Sequence, residues 1–259
     1  MTAEPLPFGS DALRLPDALR GPLRAHLADL REQYRRLGWG GRVGYGSRPA
    51  LIVIDLALAW TDPRVRGVGS AIDAVVAATC RILDAARAAG VFVVFTTYAH
   101  DPAEPPSPHD PKSALRLGPG DEKLCELDPR LGRRPSEKLL PKRYASAFKG
   151  THLHEMLTAL GVDTLIVTGV STSHCVYATC RDATDSVRVI VPREAVGERC
   201  ELMHEVNLLD IELDLGDVVP ADEVVAYLKG LSCAPRGRDA TMGPAAGRRP
   251  PDPPPSEKE

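Results

Sequence analysis

Thr164-Leu165-Ile166-Val167-Thr168-Gly169-Val170-Ser171-Thr172-Ser173-His174-Cys175-Val176 decides the fold. Its first half is a β-branched, almost wholly apolar run, the pattern of a strand buried on both faces. Small turn residues follow, and a helix is predicted from about Ser173. Upstream, Leu153, Met156, Leu157 and Leu160 mark a helix closed by Gly161. Downstream come a strand over Val187 to Val191, a helix around residues 202–214, a last short strand at Val218-Val219, and a helix from Asp222 to Leu228. Towards the N-terminus the same rhythm holds. Ala50 to Leu56 reads as a buried strand, Ile72 to Ala86 as a helix ended by Gly90, and Val91 to Phe95 as a second strand. Residues 99–137, rich in Pro, Gly and charge, carry no predicted element. Alternation of this kind implies an α/β fold: one three-layer α/β/α domain with a mostly parallel central sheet. A ligand site belongs at the carboxyl ends of its strands.

The flanks differ in composition. Residues 16–37 place Leu19, Leu23, Leu27, Leu30, Tyr34 and Leu37 at spacings of three and four, predicting an amphipathic helix. Periodicity leaves open whether that stripe packs on its own domain or on a neighbouring subunit. Residues 233–259 hold 7 of the 24 prolines and no aromatic residue, a composition that reads as a disordered tail. The expected organisation is a helical arm over 1–44, the α/β domain over 45–232 and the tail over 233–259. Lys+Arg 32 against Asp+Glu 35 gives a net charge of −3, which argues against a nucleic-acid partner. No apolar run is long enough for a membrane span, and the start Met1-Thr2-Ala3-Glu4-Pro5 lacks signal-peptide features. The 6 cysteines form no Cys-x-x-Cys pair, so a reducing cytoplasm with free thiols is expected.

Three polar residues carry the chemical argument. Asp55 sits inside the apolar run Leu51-Ile52-Val53-Ile54-Asp55-Leu56, where a carboxylate needs a cationic or hydrogen-bonding partner. It is either a functional acid or a structural one. Cys175 lies where the first turn of a helix follows a strand, and free backbone N–H groups there favour a thiolate and could stabilise an oxyanion. Cys80, Cys125, Cys180, Cys200 and Cys233 lack that context and read as inert. Lys142, in Leu139-Leu140-Pro141-Lys142, reads alone as a solvated lysine, but beside the other two it would lower the thiol pKa.

The Asp55 strand, Lys142 to Thr151, Thr168 to Val176 and Ile190-Val191-Pro192-Arg193-Glu194-Ala195-Val196-Gly197, with Gly40 to Gly46, Phe95-Thr96-Thr97 and His204 to Ile211, together resemble the isochorismatase-like cysteine hydrolases over roughly residues 32–230. Within that family the sequence is most similar to the N-carbamoylsarcosine amidohydrolase branch. The resemblance implies an Asp55–Lys142–Cys175 triad and a cis peptide at Val170-Ser171 that aims the N–H groups of Ser171 and Cys175 at an oxyanion. It implies Arg199 as the holder of a substrate carboxylate, against the alternative of a surface arginine. It also implies a homodimer or homotetramer acting on a small-molecule substrate: a cysteine amidohydrolase cleaving an amide or ureido carboxylate through a thioester. Opening of a cyclic amide, and a catalytically silent binding or assembly role, stand as alternatives.

Two departures bear on the substrate. His174 precedes the nucleophile where the branch has Gly, as a second proton-transfer group or a bulkier pocket wall. The tryptophan-containing segment associated with the branch is missing from residues 99–137. Zinc, which nicotinamidases of this fold bind through Asp and His, is not expected. His100 and His109 lie in the relevant region without an Asp-x-His spacing. No Gly-x-Gly-x-x-Gly follows a strand, so no cofactor of any kind is expected.

Overall fold

A computed structural model describes residues 13–233, apart from 66, 100–102, 104, 106, 114, 116, 118 and 119. His100 and residues 234–259 of the expected tail therefore lie outside the described residues. The chain order is α1 (Asp17–Arg36), β1 (Pro49–Ile54), α2 (Leu58–Thr61), α3 (Asp73–Ala89), β2 (Phe92–Tyr98), β3 (Lys138–Lys142), α4 (Leu153–Ala159) and β4 (Thr164–Val170). It continues through α5 (Tyr177–Ala183), β5 (Arg188–Pro192), β6 (Val196–Gly197), α6 (Glu201–Asp210), β7 (Asp217–Val219) and α7 (Ala221–Cys233). Seven strands form one sheet in the order β3-β2-β1-β4-β5-β7, with β6 pairing β4 off that path. Every named strand pair is parallel.

Parallel strands must be covered on both faces. Leu51 and Val53 of β1 pack into one core with Ile82, Leu83 and Phe95, while Ala50, Ile52 and Ile54 enter the opposite core with Leu153, Leu165 and Val176. The strand's two-residue period thus feeds two cores from one strand. Gly90 closes α3 in the left-handed conformation, φ 67°, which glycine adopts at no steric cost. Gly169 answers a sharper demand. Opposite Ile54 in the β1–β4 register, it has φ 110°, and a Cβ there would lie 2.0 Å from the Ile54 carbonyl oxygen.

The sheet differs from its sequence pattern at three places. β3 and β6 were not expected. In Lys138-Leu139-Leu140-Pro141-Lys142 the lysines and proline break the apolar alternation, yet β3 is an edge strand, where a residue without an N–H is tolerated. β2 also runs three residues past Phe95, to Tyr98. Residues 99–137 contain only short 3₁₀ turns among the described residues, at Asp110–Lys112, Glu122–Cys125 and Pro129–Leu131.

The α1 stripe is only partly covered: Leu27 is buried, whereas Leu19, Tyr34 and Leu37 are exposed. Ion pairs from α1 fasten it to the α6 region, Arg20 with Glu201, Arg24 with Glu205, and Arg31 and Arg35 with Glu212. Among the described residues no helix is long and apolar enough to cross a membrane.

Candidate active site

The strand order reverses direction between β1 and β4, and in such sheets the crevice outside the carboxyl ends at that point is the usual ligand site. Asp55 directly follows β1, Lys142 ends β3, and the segment carrying Cys175 follows β4. Positions 55, 142 and 175, far apart in the chain, converge at this point. Lys142 Nζ donates to Asp55 Oδ2 at 2.7 Å, to Cys175 Sγ at 3.4 Å and to the Tyr144 carbonyl at 3.2 Å. All three donor directions of the ammonium are used. Asp55, Lys142 and Cys175 are each at most 8% exposed.

Asp55 is held by its own backbone as well as by the lysine. It is the non-glycine residue with positive φ among the described residues, at 51°, a conformation that aspartate tolerates better than most residues. That turn lets its N–H donate to Thr96 Oγ1 at 3.1 Å while the Thr96 hydroxyl donates to Asp55 Oδ1 at 2.7 Å. Thr96 went unassigned in the sequence because β2 was read as ending one residue earlier. Each Asp55 oxygen is thereby given a donor, and the carboxylate cannot swing.

Cys175 sits in a π-helical turn, Thr172–Val176, that leads into α5. The Val170–Ser171 peptide is cis. The Ser171 carbonyl accepts from the N–H groups of His174, at 2.9 Å, and Val176, at 3.1 Å. The fully buried Glu198 carboxylate accepts from Ser173 N and Ser173 Oγ at 2.9 and 2.6 Å, and Thr172 Oγ1 donates to the Gly197 carbonyl at 3.0 Å. On the opposite side, Thr179 Oγ1 donates to the Cys175 carbonyl and accepts from Ala147 N, tying the cysteine's turn to the loop after Lys142.

The electrostatics correct one expectation. Burial, then the neighbouring Asp55 carboxylate, pushes the Cys175 thiol up to about 12, and the opposing pull of Lys142 is outweighed. The sulfur therefore rests as a neutral thiol, not as the thiolate expected from a lysine neighbour. Lys142 behaves the other way. Burial favours its neutral form, but the Asp55 carboxylate and the Cys175 sulfur more than offset this, and its pKa is raised. The resting cluster is an ion pair beside a protonated sulfur.

The cluster forms the floor of a cavity of about 540 Å³. Trp60, Tyr98, Tyr144, Leu115, His109 and His174 supply most of its apolar and aromatic wall. His174 is stacked nearly parallel to His109, ring centroids 5.8 Å apart and planes 20° off. Burial, then the positive charge of Lys142, lowers the His174 pKa and keeps its imidazole neutral. The sequence pattern did not single out Trp60, Tyr98, Tyr144 or Lys149, since aromatic and lysine side chains outside a motif carry no positional signal. Arg199 does not line the cavity; its guanidinium lies 3.6 Å from Glu198, and the side chain is 41% exposed. Its positive charge nevertheless reaches His174 in the cavity wall and lowers that imidazole's pKa. Among the described residues no group of three or more His, Cys, Asp or Glu is arranged to hold a metal ion.

The crevice at the strand-order reversal thus holds an aspartate and a cysteine joined through one buried lysine. Residues 49–223 match the family model described as the isochorismatase domain, and the chain belongs to that family. It is 38% identical to N-carbamoylsarcosine amidase of Arthrobacter sp. over 205 residues, covering 76% of this chain and 78% of that protein. It is 35% identical to maleamate amidohydrolase of Pseudomonas putida over 209 residues, covering 78% and 96% respectively. In fold it is similar to a cysteine hydrolase from Pseudomonas syringae pv. phaseolicola, with a TM-score of 0.65 and 24% identity over 71% of this chain and 93% of that one. The chain is thus an isochorismatase-family amidohydrolase, an enzyme that hydrolyses carbon–nitrogen bonds other than peptide bonds.

Proposed function

We propose that this enzyme hydrolyses the amide or ureido group of a small carboxylate through a thioester on Cys175. The observation that carries the reading is the Lys142 ammonium bridging Asp55 Oδ2 and Cys175 Sγ at the buried floor of the cavity. Because the thiol rests protonated, attack and proton transfer go together: Asp55 takes the thiol proton as sulfur bonds to the carbonyl carbon. Lys142 offsets the negative charge that develops on sulfur as its proton leaves, and that charge ends on the carbonyl oxygen. The N–H groups of Ser171 and Cys175 stabilise the tetrahedral oxyanion. The carbon–nitrogen bond then breaks, the nitrogen takes the proton from Asp55, and ammonia or an amine departs. A water molecule next attacks the thioester and gives one proton to Asp55. The carbon–sulfur bond breaks, that proton returns to sulfur, and the acid product leaves. No step requires a cofactor.

Cys175→Ala tests the reading. Loss of the nucleophile is expected to lower ammonia release at least about 10⁴-fold while circular dichroism stays unchanged. Ammonia release within about 10-fold of the parent enzyme refutes it. The same reading carries a small-molecule partner, with neither nucleic acid nor membrane involved, a cytoplasmic location and a homodimer or homotetramer. The assembly is supported by the uncovered Leu19, Tyr34 and Leu37 of α1 and Leu202, Met203 and Val206 of α6, and light scattering on the purified chain measures it.

A further inference from the structure

One buried acid takes no part in the reaction derived above. The Glu198 side chain is 0% exposed, and burying a carboxylate is costly unless donors surround it. Both of its oxygens are met. Oε2 accepts from Ser173 N at 2.9 Å and from Ser173 Oγ at 2.6 Å, the short separation of a hydroxyl bound to a charged oxygen. Oε1 accepts from Arg199 N at 2.8 Å and lies 3.6 Å from the Arg199 guanidinium. Neither Glu198 nor Ser173 lines the cavity above Cys175, so neither is placed to touch a substrate there.

What those bonds hold follows from the sheet. β6 pairs with the end of β4, Gly197 opposite Val170, which brings residue 198 alongside the turn that follows Val170. The Gly197 carbonyl accepts from Thr172 Oγ1, and Glu198 takes Ser173 next to it. Residues 197 and 198 thus grip residues 172 and 173, where the Cys175 turn begins. The tie from Thr179 Oγ1 to Ala147 N lies beyond the nucleophile, so the two grips flank it. Cys175 is two residues past Ser173, and its sulfur stands 3.4 Å from Lys142 Nζ only while the turn keeps its place. A carboxylate suits this post because it has two oxygens and no donor. It therefore accepts from Ser173 and from Arg199 at once, whereas an amide of the same shape has one acceptor.

We propose that Glu198 is a positioning residue for the nucleophile: through Ser173 it fixes the turn so that the Cys175 sulfur stays against Lys142 and the backbone N–H groups of Ser171 and Cys175 stay aimed at the oxyanion. That role rests on Cys175 being the nucleophile, as in the reading above. Without the carboxylate, the Ser173 N–H and hydroxyl lose their acceptor and the turn is released at its start. A misplacement of about 1 Å in a reacting group costs on the order of 10²-fold in rate. The loss falls on kcat, since Glu198 is not among the residues lining the cavity. Because the effect passes through Ser173, removing both partners should cost little more than removing Glu198 alone.

The test compares the full chain with Glu198→Ala, Glu198→Gln, Ser173→Ala and Glu198→Ala/Ser173→Ala, measuring ammonia release from maleamate and N-carbamoylsarcosine and checking each fold by circular dichroism. Glu198→Ala should lower kcat about 10²-fold with KM within about 3-fold of the parent. Glu198→Gln, whose carbonyl still accepts from Ser173, should recover about 10-fold of that loss. Ser173→Ala should lower kcat about 10-fold alone and less than about 3-fold further when added to Glu198→Ala. If Glu198→Ala does not fold, Glu198→Gln takes its place in the cycle. Alkylation of Cys175 by iodoacetamide needs no substrate, and its pH profile should move to lower pH in the Glu198 variant as the released turn admits water to the sulfur. A Glu198→Ala kcat within about 3-fold of the parent, or losses that multiply in the double variant, overturns the proposal. So does a raised KM at unchanged kcat, which would place the action of Glu198 on the substrate through Arg199. Should the parent hydrolyse neither amide, coincident alkylation profiles overturn it instead. A Cys175→Ala variant as active as the parent removes the nucleophile itself; an inactive one beside a fully active Glu198→Ala removes only the positioning role.

Discussion

Replacing Lys142 with methionine removes a charge while nearly preserving shape, and the consequences follow from its three contacts. The variant strips Asp55 Oδ2 and the Tyr144 carbonyl of their donor inside a cluster whose two charged side chains are 4% and 5% exposed. Deleting one member of a buried ion pair leaves an uncompensated charge, at a typical cost of about 3–5 kcal/mol. For a chain of this size, each kcal/mol moves the unfolding midpoint by about 2–4 °C, so Lys142→Met should lower it by roughly 6–20 °C. Asp55→Asn/Lys142→Met removes both charges together, and should recover most of that loss while remaining inactive. The pH dependence has a definite sign. The Lys142 pKa is raised above its ordinary 10.5, so its contribution is complete below that pH and is lost as pH rises through the folded-state value. On the alkaline side, the difference in stability between parent and Lys142→Met should therefore shrink above about pH 10.5. Urea titrations followed by circular dichroism, repeated over pH, measure all of this. A single variant that loses less than about 1 kcal/mol, or a double variant destabilised by the full sum of the two singles, refutes the coupled buried pair.

Two further outcomes are expected. A thiol pushed up to about 12 is protonated near neutrality, so alkylation of Cys175 in the absence of substrate should be slow and should accelerate with pH without a plateau below about pH 11; peptide mass spectrometry follows it, and a plateau near pH 7 would identify a resting thiolate instead. Thr96→Val keeps the side-chain volume but removes the hydroxyl that locks Asp55, and should lower kcat about 10-fold with a stability loss of about 1–2 kcal/mol; unchanged kcat in steady-state assays would show that Lys142 alone orients the carboxylate.

Most of the central sheet was legible because buried parallel strands announce themselves as uninterrupted apolar runs, as β1 and β4 do. β3 was not, since an edge strand faces solvent on one side and can carry lysines and a proline. The candidate site divides in the same way. Asp55 stands out as a carboxylate in an apolar run, and Cys175 as a thiol after a strand and a small-residue turn. Both signals are local. Trp60 belongs to the site only through the fold, and Thr96 and Lys149, though they lie in segments that carry the family resemblance, show no local signal of the contacts they make. Arg199 was singled out by its position in the chain, and its side chain lies beside Glu198, near enough for its charge to act on His174.

By itself, then, the order of residues determined the parallel α/β architecture and which side chains could do chemistry, because burial and local turn preference act over a few neighbouring positions. Only the tertiary structure decided the protonation of the sulfur and the reach of the pocket. Both depend on how much solvent and which charges surround a group, and those surroundings are assembled from segments distant in the chain.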